Sequence, residues 1–218
     1  TNTFNVQEMR DMGAKRVELT ELGYDDALCF PMDLTESERQ EYACDVIYIG
    51  HWEEFHEAHL AYLIEHGIDV KIWGWGWRKA KRPDQLNGHV MYRQVPVQDY
   101  ARAMQSAKIN ICFLSKWNRN TSTGRSFEIP AMKGFLLAER TDSHQQYYIE
   151  GQEAEFYGSK EEMLEKVRYY LGDQDRRRKI AVDGHIRAVP EYSYLARVRK
   201  DLRHINDEYA RCKRVRLL

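Results

Sequence analysis

Cysteine is scarce in this sequence, and its spacing excludes more than its number does. Cys29, Cys44, Cys112 and Cys212 are the four in 218 residues. No C-x-x-C pair occurs among them, so neither a zinc site nor a disulfide framework is expected, and the thiols are read as reduced. An excess of charge of one sign is missing too. The 33 Lys and Arg against 34 Asp and Glu leave a formal −1, so nothing draws the chain in bulk to nucleic acid or an anionic membrane. Apolar runs such as Ile109 to Leu114 are far too short to cross a bilayer, and the N-terminus has no basic-then-apolar leader pattern. These absences lead us to expect a cytoplasmic protein with no transmembrane segment and no nucleic-acid partner. There is no G-x-G-x-x-G and no Walker sequence, so neither a dinucleotide fold nor a P-loop is supported. No G-x-S-x-G elbow presents a nucleophile, and there is no internal repeat. The first residue is Thr, which reads as a processed chain or a piece of something longer.

What is present suffices for a real core. Hydrophobic residues make up 43% and aromatics 12%, which rules out disorder as the main state, and the length fits one large domain or one and a half. The charge is uneven along the chain: residues 173–218 hold 13 Lys and Arg against 7 Asp and Glu, a local +6, leaving 20 against 27 for residues 1–172. The Arg176 to Lys179 run reads as a solvated helix face.

From residue 45 onward short apolar runs alternate with helical patterns, which predicts an α/β fold, a three-layer Rossmann-like parallel sheet with helices on both faces. The predicted strands number about six: Val46 to Ile49, Val70 to Trp73, Val90 to Tyr92, Ile109 to Leu114, Phe135 to Ala138 and Glu155 to Tyr157. Helices are expected over Glu53 to His66, Val97 to Ala107, Arg125 to Lys133, Ser143 to Ile149 and Lys160 to Leu171, the last opened by a capping box at Ser159 to Glu162. Two outer helices, at about 174–188 and 192–214, finish the chain. Residues 1–44 read as a lead-in packing on the domain, with a turn or two of helix at Val6 to Met12 and a possible strand at Arg16 to Thr20. Residues 45–172 form the Rossmann-like unit, and 173–218 a basic helical tail.

In such a sheet ligands bind beyond the carboxyl ends of the strands where strand order reverses, which for the order 3-2-1-4-5-6 lies between the loops after the first and fourth strands. The first of these is Gly50-His51-Trp52, a glycine before a helix N-terminus. The second, Ser115 to Ser126, is nearly all polar. Lys116, Arg119 and Arg125 supply cations, Thr121 to Gly124 supply hydroxyls and N–H groups, and Glu128 could accept both hydroxyls of a ribose. The competing reading is an exposed polar loop, with Glu128 favouring a helix N-terminus through the macrodipole. Trp75 and Trp77, in the Gly74 to Trp77 turn, would flank a sugar or base or else cover the sheet edge. His51, His56 and His59 lack H-E-x-x-H spacing and read as part of a solvated helix face, not a metal site.

The stretch Asn118 to Ala131, with its R-x-F-E-I-P-A block, resembles the C-terminal half of CgeB-type glycosyltransferases, relatives of the family 4 retaining enzymes with the GT-B fold. Gly134 to Glu139, Glu150 to Glu153, Ser159 to Glu162 and Asp45 to Trp52 continue the resemblance. It implies one half of a GT-B fold, the donor-binding domain, acting as a hexosyltransferase-type enzyme on a UDP-sugar or GDP-sugar with retention, with no cofactor and no metal. By the same resemblance Glu128 is the second acid of an E-x7-E signature and binds the ribose. Arg125, Thr123 and Gly124 face the diphosphate, and Arg93 to Val95 meet the base. Asn120 stands where the first acid usually is, and His56 where an Arg usually neutralises phosphate. The implied site is catalytic Asn120, Arg125 and Glu128, with donor contacts from Gly50, His51, Arg93, Val95, Lys116, Thr123 and Gly124. An acceptor domain or partner subunit would complete it. The alternative is a non-catalytic nucleotide-sugar-binding or partner-binding module; a receiver-like or flavodoxin-like regulatory domain lacks the acidic cluster expected at its strand ends.

Overall fold

A computed structural model describes residues 3–215, with side chains from residue 4 to residue 211. After α1 (Thr3–Asp11) and α2 (Glu36–Tyr42), strands and helices alternate: β1 (Cys44–Ile49), α3 (Glu54–Glu65), β2 (Val70–Trp73), α4 (Tyr100–Ser106), β3 (Ala107–Cys112), α5 (Arg125–Ala131), β4 (Leu136–Glu139), α6 (Asp142–Tyr147), β5 (Glu155–Tyr157) and α7 (Lys160–Gly172). The outer helices α8 (Gln174–Ala188) and α9 (Tyr194–Val215) follow. All strand pairs are parallel and the order is β2-β1-β3-β4-β5, with Val46 opposite both Val70 and Ile109.

Side chains alternate across the sheet with period two, and the two faces build two cores. Val46 and Tyr48 join Leu60, Leu63, Met163 and Val167 on one face; Ile47 and Ile49 join Met104, Phe127 and Ile129 on the other. The connections therefore put α3 and α7 on one side and α4 and α5 on the other, giving the expected three-layer α/β unit.

Among the described residues five strands form where about six were expected. The Val90 to Tyr92 segment is reduced to a single parallel bridge from Val90 to Ile72, because Tyr92 turns into the left-handed region at φ 49° and Pro96 follows, so the extended run cannot continue. Arg16 to Thr20 is not a strand either; Glu18 to Glu21 instead form one wall of a groove whose other wall is α9. The lead-in is anchored one step later. Tyr24 N–H donates to Tyr192 O at 3.1 Å, Tyr194 N–H to Tyr24 O at 2.8 Å, and the Tyr24 hydroxyl to Val189 O at 3.2 Å.

Local signals explain the helix starts. Thr35 and Glu38 form a reciprocal capping box on α2. Ser159 caps α7 through the Glu162 N–H, but the Glu162 carboxylate accepts from Gly158 N–H and Arg140, so only half of the expected box forms there. Cys29, Cys44 and Cys112 are buried free thiols; the side chain of Cys212 lies outside the described residues. No helix among the described residues is long and apolar enough to cross a membrane.

Candidate functional site

The polypeptide leaves β1 for one face and β3 for the other, so the cleft between their carboxyl ends is where the order of connections reverses. Its first wall is the Gly50 to Glu53 turn. Gly50 N–H donates to Trp73 O at 2.9 Å and Gly50 O accepts from Trp77 Nε1 at 3.0 Å, so both backbone groups are engaged inside the fold rather than offered to a ligand. Gly74 beside it has φ +128°, and a Cβ there would lie inside the contact radius of Gly50 O. Only glycine permits that approach. Trp77 is fully buried against the core, while Trp75 is exposed.

Glu53, 1% exposed, joins the two walls. Its carboxylate accepts from His51 Nε2 at 2.7 Å and from the Lys116 N–H of the opposite loop at 3.0 Å. Burial pushes its pKa up, but the Ser115 hydroxyl, the Lys116 N–H and His51 outweigh that and hold it below the usual carboxylate range. His56 is buried as well, stacked on Phe113 at 4.7 Å with Nδ1 3.1 Å from the Tyr48 hydroxyl. Burial lowers its pKa and keeps it neutral. The histidines of α3 are thus not a solvated face: His56 and His59 are 1% and 8% exposed, and His56 is in no position to take the place of a phosphate-facing arginine.

The second wall is the loop from Phe113 to Gly124. Two of its cations already have protein partners. Lys116 is ion-paired with Glu139 and lies 4.1 Å over the Phe55 ring. Arg119, in the left-handed region, reaches Glu8 at 3.0 Å and stacks over Phe4 at 3.8 Å. The far end of the loop is tied down by buried groups that sequence reading did not find. The Thr141 hydroxyl donates to Thr121 O at 2.8 Å. His144 Nδ1 sits 2.7 Å from Glu139 O, an acceptor only, so Nδ1 carries the proton and Nε2 accepts from the Ser126 hydroxyl at 2.8 Å. Ser126 in turn accepts from Thr123 N–H at 3.1 Å. Serine and histidine are both fully buried, and the pair is a brace, not a nucleophile.

Arg125 and Glu128, on the first turn of α5, differ from the other charged residues. The Glu128 carboxylate accepts from the Tyr100 hydroxyl at 2.6 Å, leaving its second oxygen for another donor. Arg125 Nε is buried with no hydrogen-bond partner, and its guanidinium makes no hydrogen bond or ion pair with the described residues. Burial opposes its charge, but Tyr100, Glu128 and Tyr48 face it, and its pKa is raised. A cavity of about 340 Å³ opens beside Glu128, lined by Leu28, Cys29, Val95, Val97 and Tyr100. Burial and the neighbouring Glu128 push the Cys29 thiol up to about 12, so the thiol is neutral, and Asp25 beside it also lines the cavity.

Among the expected site residues, the fold brings Val95 and Glu128 together at this cavity, with Arg125 and Gly124 on the same turn as Glu128 and Thr123 beside them. A Cβ on Gly124 would meet Glu128 Oε1 at 3.0 Å. Asn120, partly buried, lies in the same loop. Arg93 contributes backbone, its C=O accepting from Gly74 N–H at 3.1 Å, while its guanidinium lies 5.0 Å over Trp73. Tyr100 and Glu53 carry no motif that would mark them. Among the described residues no group of three or more His, Cys, Asp or Glu side chains is arranged to hold a metal ion.

Comparisons with known proteins agree with this fold. The C-terminal domain of a group 1 glycosyl transferase, LpcC from Francisella tularensis, superposes at TM-score 0.57 with 13% identity over 78% of this chain and 98% of that one. A sucrose-phosphate synthase from Thermosynechococcus elongatus gives 0.73 with 13% identity over 96% of this chain and 57% of that one. Anabaena HepE, solved in complex with UDP-glucose, gives 0.68 with 12% identity over 92% and 61%. The chain thus spans about three fifths of the two longer structures. No curated protein matches the sequence. The profile of the glycosyl transferase-like family covers residues 52–203, which include α3, the tied-down loop, Arg125, Glu128 and most of the tail, and the chain belongs to that family.

Proposed function

We propose that the chain is a donor-binding domain of CgeB type that holds a nucleoside diphosphate sugar, UDP- or GDP-linked, in the cleft between β1 and β3. The observation that carries this reading is Arg125, a partly buried guanidinium without a hydrogen-bond partner among the described residues, on the same helical turn as a carboxylate that has one oxygen to spare. A diphosphate satisfies the guanidinium by two parallel charge-assisted bonds. The base occupies the cavity at Val95 and Tyr100, and the ribose hydroxyls donate to Glu128.

When the bond from the anomeric carbon to the diphosphate breaks, negative charge grows on the leaving oxygen. A fixed cation in a site shielded from water stabilises that charge more in the transition state than in the ground state. Arg125 supplies it, so the scheme asks nothing of a metal. Retention rests on the resemblance of the 118–131 block. The acceptor comes from a further domain or a partner subunit, in keeping with the three-fifths span against HepE and the synthase.

Calorimetric titration with UDP, GDP and their sugars is the test. Binding is expected, and Glu128→Ala should weaken it by at least about tenfold, one charge-assisted hydrogen bond. No binding of any of them at millimolar concentration sinks the proposal. A second reading, a binding module without turnover, is favoured by the amide of Asn120 at the place of the first acid; donor hydrolysis or transfer separates the two.

A further inference from the structure

The Glu53 carboxylate is an expensive group to bury. A carboxylate withdrawn from water needs compensation by hydrogen bonds or charge, and here it has both: the Lys116 N–H and the Ser115 hydroxyl from one side and His51 from the other. The His51 side chain is 53% exposed, at the end of β1 where the cleft opens. Because Nε2 donates to Glu53, Nδ1 is left with no protein partner among the described residues. The remaining groups near the imidazole are the His56 ring at 5.7 Å, buried and neutral, and the Tyr48 hydroxyl, which donates to His51 O at 3.2 Å and itself faces Arg125. Lys116 touches this cluster through its backbone, its ammonium being held by Glu139.

A surface imidazole oriented by a buried carboxylate is a donor held in one direction. We propose that Glu53 is a positioning residue for donor binding, holding the His51 imidazole as an anion-facing group at the mouth of the cleft while fastening the loop after β3 to the turn after β1. The proposal rests on the donor-site reading. It adds to Arg125 a second anion-facing group, one whose direction a buried carboxylate sets.

The experiment is calorimetric titration of the chain with UDP for the wild type, His51→Gln, Glu53→Gln and Glu53→Asp, with thermal melting of each. His51→Gln should bind about tenfold more weakly and melt close to the wild type, since its amide can still donate to Glu53. Glu53→Gln should weaken binding as well, and Glu53→Asp should recover part of the affinity, a rescue that a purely structural carboxylate would not tie to UDP binding. If Glu53→Gln fails to fold, His51→Gln decides alone. Wild-type affinity in His51→Gln overturns this inference while leaving the donor site standing. No UDP binding by the wild type overturns both.

Discussion

Replacing Arg125 with Met separates function from stability sharply. In the free protein the guanidinium makes no hydrogen bond or ion pair with the described residues, and its Nε is already orphaned. Its removal therefore breaks no such bond. What changes is an attraction to Glu128 on one side and the cost of desolvating a cation on the other, and these oppose each other. The unfolding free energy should stay within about 1 kcal/mol of the wild type. On the donor-site reading the same side chain makes two charge-assisted bonds to a diphosphate, each worth about 1.5 kcal/mol or more, so the dissociation constant should rise by about two orders of magnitude. Arg125→Lys keeps the charge but not the fork and should recover only part of the loss. Calorimetry with UDP and urea unfolding, run on the same preparations, read the two quantities separately. Wild-type affinity in Arg125→Met refutes the assignment, and a stability loss of several kcal/mol shows that the residue serves the fold instead.

Two further outcomes follow from the packing. Gly74→Ala places a Cβ against Gly50 O at φ +128°, and the backbone on both sides must move; a loss of about 3 kcal/mol is expected in urea unfolding, and an unchanged midpoint would contradict the close approach. Burial lowers the pKa of His56 and of His144. The unfolded chain therefore takes up these protons before the folded one does, and their contribution is complete above about pH 6.5 and lost as pH falls below it, by at most about 1.4 kcal/mol per pH unit for each. Melting temperature should drop between about pH 7 and pH 5, above the range where carboxylates titrate, and His144→Asn should flatten the drop; a flat wild-type profile would count against neutral buried imidazoles.

The alternation of apolar runs and helices was legible in the sequence because both periods are local, and the position of the cleft followed from strand order. The polar loop before α5 was legible as a candidate site for the same reason. Which of its cations remains without a partner was not. Lys116 and Arg119 look the same as Arg125 in sequence, and only the arrival of Glu139 from β4 and Glu8 from α1 sets them apart. Tyr100 and Glu53 escaped notice because their partners lie 28 and 63 positions away, and the histidines of α3 were misread because no local pattern reveals that Phe113 covers His56.

The segment that fails to become a sixth strand still serves the sheet. Ile72 N–H donates to His89 O, Met91 N–H to Ile72 O, and Gly74 N–H to Arg93 O, which occupies the outer rim of β2 with a stretch too bent to propagate. At the opposite side the terminal strand, β5, is only 3 residues long. Neither margin offers a stranger an extended row of open amides and carbonyls to zip onto. The sheet is thereby guarded at both margins against pairing with copies of itself.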